Sequence, residues 1–126
     1  YPAAVEFFRR MCFNVIARNC DDHTKNTSFL MDPQGDWHLS PAYDMTFAYD
    51  PKNLWLKQHQ MSINGKRLVI TREDLLVVAK DMSIKKAAAI IDEVVAGVKT
   101  WKKCAKKAEV DPKQVAAIGK LHLIRI

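Results

Sequence analysis

The sequence predicts a mainly helical domain that contains one small β-hairpin. Apolar residues recur at helical spacing over most of the chain. Only residues 27–40 combine two clear strand candidates with a turn-forming stretch between them. The length of 126 residues, of which 48% are apolar and 27% charged, fits one domain (1–126) with a hydrophobic core.

The first predicted helix covers residues 3–18, and a polar loop over residues 19–26 follows it. The apolar side chains that recur at i, i+3, i+4 and i+7 spacing are Val5, Phe8, Met11, Cys12, Val15 and Ile16. This pattern stops at Arg18, and the polar cluster after it favours a loop. The predicted hairpin then pairs Thr27–Met31 with Trp37–Ser40, because Asp, Pro and Gly lie between them.

A second small hairpin is predicted over residues 60–70, because the dipeptide Asn64-Gly65 strongly favours a tight turn. Residues 45–60 give no clear pattern. Thr71 is expected to cap a helix over residues 72–81, since an acidic residue stands three positions later.

The C-terminal part is predicted to be helical throughout. Ser83 is expected to cap one long helix over residues 84–107, which carries a continuous apolar stripe. Asp111-Pro112 has the features of a helix start, with proline in the first turn, and this last helix is expected to run to about residue 123.

Composition narrows the functional classes. Three cysteines without regular spacing argue against a disulfide framework, so a reducing, cytoplasmic setting is expected. No apolar run reaches the roughly 18 residues that span a bilayer, so no membrane association is expected. The chain has no signal-peptide pattern and no starting Met, and we expect it to begin partway through a longer protein.

The stretch from Asp21 to Asp44 carries the candidate chemistry. Phosphoryl transfer needs a carboxylate that orients or deprotonates the attacking hydroxyl, together with oxygen ligands for Mg²⁺. Protein kinases supply these with a catalytic-loop Asp, an Asn five positions later and a second Asp further on. Asp21, Asn26 and Asp44 keep that order, and the first two keep that spacing. The residues that flank them in protein kinases are not present.

Two motifs together resemble a specific family. Asp-Asp-His-Thr-Lys-Asn at 21–26 and Leu-Ser-Pro-Ala-Tyr-Asp at 39–44 are similar to the HipA-like serine/threonine kinases of bacterial toxin–antitoxin systems. Residues 59–66 and 70–76 also resemble the segment that follows in that family; the likeness is close over about residues 7–82 and extends to the C-terminal helices only in outline. It implies the C-terminal lobe of a kinase-like fold.

In that lobe the resemblance assigns roles to successive segments. The catalytic loop would be residues 19–26, the hairpin about 27–40, the metal-binding Asp segment 41–44 and the helical remainder 71–126. Asp21 would be the catalytic base, while Asn26 and Asp44 would bind Mg²⁺. The loop would be shaped by His23 and Lys25, and Lys25 is expected to reach phosphate.

The resemblance also implies ATP and Mg²⁺ as cofactors of the full-length parent protein. The substrate would be a protein Ser or Thr hydroxyl, and in the family it can be an aminoacyl-tRNA synthetase. The partner would be a small helix-turn-helix antitoxin, with DNA reached only through it.

One part of a kinase has no counterpart in the sequence. The four glycines are widely scattered, and none forms a phosphate-covering loop. We therefore expect the N-terminal nucleotide-gripping lobe to be absent, and the residues that bind nucleotide are not assigned. The 126 residues alone are expected to bind ATP weakly or not at all and to have no kinase activity.

Other interpretations of single residues remain open. A zinc site would use Cys20 and His23 with Cys12 or His38, but only one ligand pair has suitable spacing, so His23 is expected to make a loop-stabilising hydrogen bond instead. Asp22 is expected to be a solvated turn residue, or alternatively a charge near the metal. The three tryptophans are expected in the core or partly buried: Trp37, Trp55 and Trp101.

Charge suggests further functions. Residues 1–50 carry a net charge of −3 and residues 51–126 a net charge of +9. A lysine cluster is expected to be a solvated helix face, or a surface for nucleic acid or an acidic partner: Lys99, Lys102, Lys103, Lys106 and Lys107. The two alternatives to a kinase are a non-catalytic binding module derived from the same lobe and a basic helical nucleic-acid-binding domain.

Overall fold

A computed structural model describes all residues from 1 to 126 and confirms a mainly helical chain with one small sheet. The five helices are α1 (Pro2–Ile16), α2 (Arg72–Asp81), α3 (Ala87–Val98), α4 (Trp101–Lys107) and α5 (Pro112–Leu121). The two antiparallel strands are β1 (Phe29–Met31) and β2 (Trp37–Leu39). A single 3₁₀ turn covers Thr24–Asn26. No helix has the length and apolar character needed to cross a membrane.

The hydrophobic core lies between α1, α2 and α3. Phe8 and Ile16 on α1, Leu75 on α2 and Ile91 on α3 are fully buried. Burying an apolar side chain of this size stabilises the folded state by about 1.5–3 kcal/mol relative to exposing it. The helical spacing of apolar residues in α1 therefore reflects a face that packs on α3.

The predicted hairpin is confirmed, with Phe29 opposite Leu39 and Met31 opposite Trp37. Its turn is closed by the Asp32 carboxylate, which accepts hydrogen bonds from two backbone N–H groups at 2.9 Å. The hairpin projects from the core, so its apolar side chains are exposed. The expected burial of tryptophan is wrong for Trp37, which lies on this hairpin and is 67% exposed, and also for Trp55, which lies outside the hairpin and is 68% exposed. Trp101 is partly buried, as predicted.

The predicted single helix over 84–107 is wrong, because α3 ends at Val98 and α4 begins at Trp101. At this break the Thr100 hydroxyl donates a hydrogen bond to the Gly97 backbone carbonyl at 2.6 Å. The apolar stripe continues on both sides of this break, so its spacing gave no sign of the interruption.

Ser83 does not cap α3, so that prediction is also wrong. Ser83 has a φ of +56° and lies just past the end of α2. The Ser83 N–H bonds to the Lys80 carbonyl, and the Ile84 N–H bonds to the Ala79 carbonyl. This hydrogen-bond pattern is a Schellman motif, so Ser83 closes the preceding helix instead of opening the next one.

Two other sequence signals are confirmed. Thr71 and Asp74 form a reciprocal capping box at the start of α2. The Asp111 carboxylate caps α5 by accepting from the Lys113 N–H at 2.8 Å. The predicted second hairpin is reduced to a tight turn, in which Asn64-Gly65 has positive φ at both residues and one bridge joins Ile63 to Lys66.

Candidate active site

The predicted catalytic loop starts where α1 ends. Arg18 has a φ of +61°, and the Asn19 N–H bonds to the Asn14 carbonyl at 2.8 Å, which makes a second Schellman motif. The chain then pairs with residue 48: the Cys20 N–H donates to the Ala48 carbonyl at 2.8 Å, and the Ala48 N–H donates to the Arg18 carbonyl at 3.0 Å. The loop is thus held at its first residues by backbone hydrogen bonds.

Asp21 and Asn26 are joined across the loop. The Asn26 side-chain amide donates to the Asp21 backbone carbonyl at 2.9 Å, which closes the loop over the 3₁₀ turn. The Asp21 carboxylate remains half exposed, with a side-chain exposure of 52%. The amide oxygen of Asn26 accepts no hydrogen bond from the protein, so it is free for another ligand.

Asp44 lies opposite this loop in an uncommon conformation. Its φ of +52° is in the left-handed region, which costs a non-glycine residue about 1 kcal/mol or more. Two hydrogen bonds hold this conformation in place: the Asn19 amide donates to the Asp44 carbonyl at 3.0 Å, and the Tyr43 hydroxyl donates to the Lys25 carbonyl at 2.8 Å. Such strain persists at positions that the surrounding contacts determine, and these are often functional sites.

A small cavity of about 60 Å³ lies between the loop and Asp44. Among the predicted site residues, Asn26, Asp44 and His23 line it. Asp21 and Lys25 do not line it; both lie exposed beside it, on the same loop. The structure therefore brings the two predicted metal ligands to one cavity.

Two polar atoms at this cavity are buried without a hydrogen-bond partner: Asn19 Oδ1 and His23 Nδ1. The loop-stabilising hydrogen bond expected of His23 is absent, since its other ring nitrogen lies 3.8 Å from the Asp21 carboxylate. Sequence reasoning gave Asn19 no role, because nothing marks it except its place in the polar cluster. A buried acceptor without a donor is costly, and it fits a site that receives a cation or water.

The oxygen atoms near the cavity suit Mg²⁺ better than zinc. Asn19, Asn26 and Asp44 offer amide and carboxylate oxygens, the ligands that Mg²⁺ prefers. The structure contains no group of three or more His, Cys, Asp and Glu side chains arranged to hold a metal ion. Cys12 lies in the hydrophobic core and does not line the cavity, and burial raises the pKa of its thiol to about 12.

Asp22 is buried, so its prediction as a solvated turn residue is wrong. One carboxylate oxygen accepts from His59 Nδ1 at 2.9 Å, and the other accepts from the Gln60 N–H at 2.8 Å. Burial by itself lowers the pKa of His59, but the hydrogen bond and charge of Asp22, with a further contribution from Cys20, outweigh it and raise that pKa to about 9. His59 is therefore an imidazolium at neutral pH. Their separation of 37 residues left no local signal of this pair.

A second buried carboxylate, Asp74, lies on the other side of the tight turn. It accepts hydrogen bonds from the Thr71 N–H and the Asn64 amide, both at 2.8 Å, and from Lys66 Nζ at 3.0 Å. These bonds, led by the one from the Thr71 backbone, hold the pKa of Asp74 well below its usual range. The turn is thereby fixed to the start of α2.

The lysine cluster of α4 is exposed and takes part in none of the salt bridges of the structure. Residues 99–126 carry eight Lys/Arg and two Asp/Glu, so their net charge of +6 equals that of the whole chain. Residues 1–98 are balanced. The net positive charge is therefore concentrated in residues 99–126, none of which lines the cavity.

Comparison with known proteins identifies the family. The model of the HipA-like C-terminal domain matches residues 1–102, so the chain belongs to this family and the predicted resemblance is confirmed. The match includes the loop at 19–26, the hairpin and Asp44, and it ends within α4. Searches of curated proteins and of solved structures give no match.

Proposed function

We propose that this chain is the catalytic C-terminal lobe of an ATP- and Mg²⁺-dependent protein serine/threonine kinase of the HipA type. One observation supports it most strongly: Asn26 and Asp44, from distant points in the sequence, line one cavity beside the exposed Asp21 carboxylate. Membership of the HipA-like family points in the same direction.

In this proposal Asp21 receives the proton of the substrate hydroxyl. Its carboxylate is exposed, so a Ser or Thr side chain of another protein can reach it. Its backbone carbonyl accepts a hydrogen bond from the side-chain amide of Asn26, which holds the Asp21 backbone next to a residue that lines the cavity. A positioned carboxylate of this kind contributes roughly 10²- to 10⁴-fold to the rate through proton transfer.

Asn26 and Asp44 would hold Mg²⁺, and the unpartnered Asn19 oxygen would face the same ion or a water bound to it. When bound, Mg²⁺ supplies positive charge that neutralises the phosphates during transfer. The exposed Lys25 side chain lies on the same loop and would contact a phosphate oxygen. His23 shapes the wall of the cavity.

The family context supplies the proposed partners. The substrate would be a protein, with an aminoacyl-tRNA synthetase as the first candidate, and a small helix-turn-helix antitoxin would bind the kinase. DNA would be reached only through that antitoxin.

Phosphate transfer from ATP by the full-length gene product tests this proposal, with autophosphorylation or a protein substrate as the readout. Asp21→Asn and Asp44→Ala are each expected to lower the transfer rate by about 100-fold or more. Asp36→Asn is the matched control, because Asp36 is an exposed carboxylate in the hairpin turn whose side chain makes no hydrogen bond. Unchanged transfer in both site variants would instead favour a non-catalytic binding module.

A second candidate function is binding of a polyanion such as nucleic acid by residues 99–126, where the whole net charge is concentrated. Binding of a short DNA duplex should then weaken steeply with salt. The double variant Lys102→Glu/Lys106→Glu should abolish it, whereas Lys80→Glu/Lys85→Glu, at exposed lysines elsewhere, should not. Equal loss in the two double variants would show that only overall charge matters.

A further inference from the structure

Asp21 and Asp22 are neighbours with opposite surroundings. The Asp21 carboxylate is half exposed, whereas the Asp22 carboxylate is 5% exposed and paired with His59. We propose that the buried Asp22–His59 pair is a positioning element that fixes the direction of Asp21 and thereby sets the rate of phosphoryl transfer. This inference rests on the proposed kinase function.

The pair leaves Asp22 little freedom to rotate. One carboxylate oxygen is bonded to His59 Nδ1, and the other accepts from the Gln60 N–H at 2.8 Å. The same Gln60 N–H lies 3.2 Å from the Cys20 carbonyl, so the backbone before Asp21 is held at the same place. With Cys20 and Asp22 both held, the backbone that carries the Asp21 side chain is restrained on both sides.

The partner segment is itself braced. The His59 N–H donates to the Arg67 carbonyl at 2.8 Å, and Arg67 Nε donates to the His59 carbonyl at 2.7 Å. Further along, Asn64 and Lys66 bind the Asp74 carboxylate at the start of α2. The loop that carries Asp21 is thus connected to a helix through fixed contacts.

Stability alone is a weak reason for such a pair. Taking two charges out of water costs free energy that their attraction only partly offsets, and apolar residues of similar size often stabilise a core as well. A charged hydrogen bond is directional, however, and it defines the orientation of the groups on either side. A directional pair directly beside the proposed base therefore fits a role in positioning.

Steady-state kinetics of the full-length gene product test the inference. His59→Gln is expected to lower kcat by about 10- to 100-fold while KM for ATP stays nearly unchanged, because a misdirected base affects the chemical step. Asp22→Asn keeps the size of the side chain and an acceptor for Gln60, so it is the second variant, with a smaller loss expected. The double variant should lose about as much as the more affected single variant, well below the sum of the two losses, because both residues act through one contact.

The matched control is His38→Gln, which removes an exposed His–Asp hydrogen bond on the hairpin. It should leave kcat unchanged. Hydrogen exchange measured on the same proteins gives a readout that does not depend on catalysis: exchange at residues 19–26 should rise in His59→Gln, while α1 and α3 stay protected.

The outcomes separate this inference from the kinase proposal. If Asp21→Asn abolishes transfer but folded His59→Gln and Asp22→Asn keep the wild-type kcat, the positioning role is overturned and the kinase function stands. If Asp21→Asn has no effect on transfer, the kinase function is contradicted, and so is the claim that the Asp22–His59 pair sets the rate of phosphoryl transfer. In either case, unchanged exchange at residues 19–26 in His59→Gln contradicts the claim that the pair fixes the loop.

Discussion

Two His–Asp pairs in this molecule have almost the same geometry and very different surroundings. His59 and Asp22 lie 2.9 Å apart, and His38 and Asp32 lie 2.8 Å apart. The side chains of the first pair are each 5% exposed, while those of the second are 62% and 29% exposed. In the first pair the pKa of the histidine is raised to about 9; in the second the hydrogen bond from His38 lowers the pKa of Asp32. At nearly the same distance, the exposed pair is screened by solvent and the buried pair is not, so we expect only the buried pair to contribute strongly to stability.

The largest difference between the two pairs is expected when the carboxylate of each pair is removed. Asp22→Ala leaves a buried imidazolium without a partner, and removing one member of a buried ion pair typically costs about 3–5 kcal/mol of unfolding free energy. Asp32→Ala acts at the surface, where solvent screens the charge, so the loss should be clearly smaller and should come mainly from the two backbone hydrogen bonds that close the hairpin turn. Urea denaturation of both variants measures the difference, and equal losses would show that burial is not the deciding factor.

Raising the pH should weaken the buried pair selectively. The folded-state pKa of His59 lies above its unfolded value of 6.5, so the pair's stabilisation is complete below pH 6.5 and is lost as pH rises through about 9. The shift corresponds to at most about 3 kcal/mol. The unfolding free energy of the wild type should fall between these pH values, and that of His59→Gln should fall much less. Parallel pH curves for the two proteins would mean that His59 does not carry the charge.

A smaller effect on stability is expected at the start of α2, where Asp74 holds the turn that follows His59. Thr71→Ala removes half of the capping box of α2, and the loss of such a cap costs about 1 kcal/mol. The contacts of Asp74 with Asn64 and Lys66 remain, so kcat should not change. Thermal unfolding and kinetics of the same variant check both statements, and a large fall in kcat would indicate that the cap itself helps to position the loop.

The smallest effect is expected at the exposed pair. His38→Gln should leave the unfolding free energy at neutral pH within measurement error, because exposed ion pairs contribute little. In the wild type the lowered pKa of Asp32 gives a contribution that is present above its usual value of 3.8 and is lost as pH falls below it. A clear loss of unfolding free energy at neutral pH in His38→Gln would show that the exposed His38–Asp32 pair stabilises the folded protein.

The sequence predicted the parts of the fold that depend on local chemistry. Helix α1, the capping box at Thr71, the proline start of α5 and the turn at Asn64-Gly65 all depend on residues close together in the chain. The break between α3 and α4 was missed because the apolar stripe continues across it. Ser83 was misassigned because a helix end and a helix start compete for the same few residues.

The candidate site divides in the same way. Asp21 and Asn26 follow from a fixed spacing, and Asp44 follows from its place after the hairpin. Asn19, His59 and the burial of Asp22 required the tertiary structure, since their partners lie far away in the sequence. The exposure of Trp37 and Trp55 could not be predicted from the sequence either, because apolar character alone does not show whether another part of the protein packs against a side chain.

The most direct test of the central claim, that Asn26 and Asp44 form one metal site beside Asp21, is paramagnetic broadening by Mn²⁺ in the full-length gene product in the presence of ATP. Mn²⁺ takes the same oxygen ligands as Mg²⁺ and broadens the NMR signals of nearby residues. The amide signals of residues 19–26 and 43–45 should broaden first, and Asp44→Ala should abolish the effect. Broadening that begins at other acidic positions, such as Asp32 and Asp36 in the hairpin turn, or that persists in Asp44→Ala, would contradict the assignment.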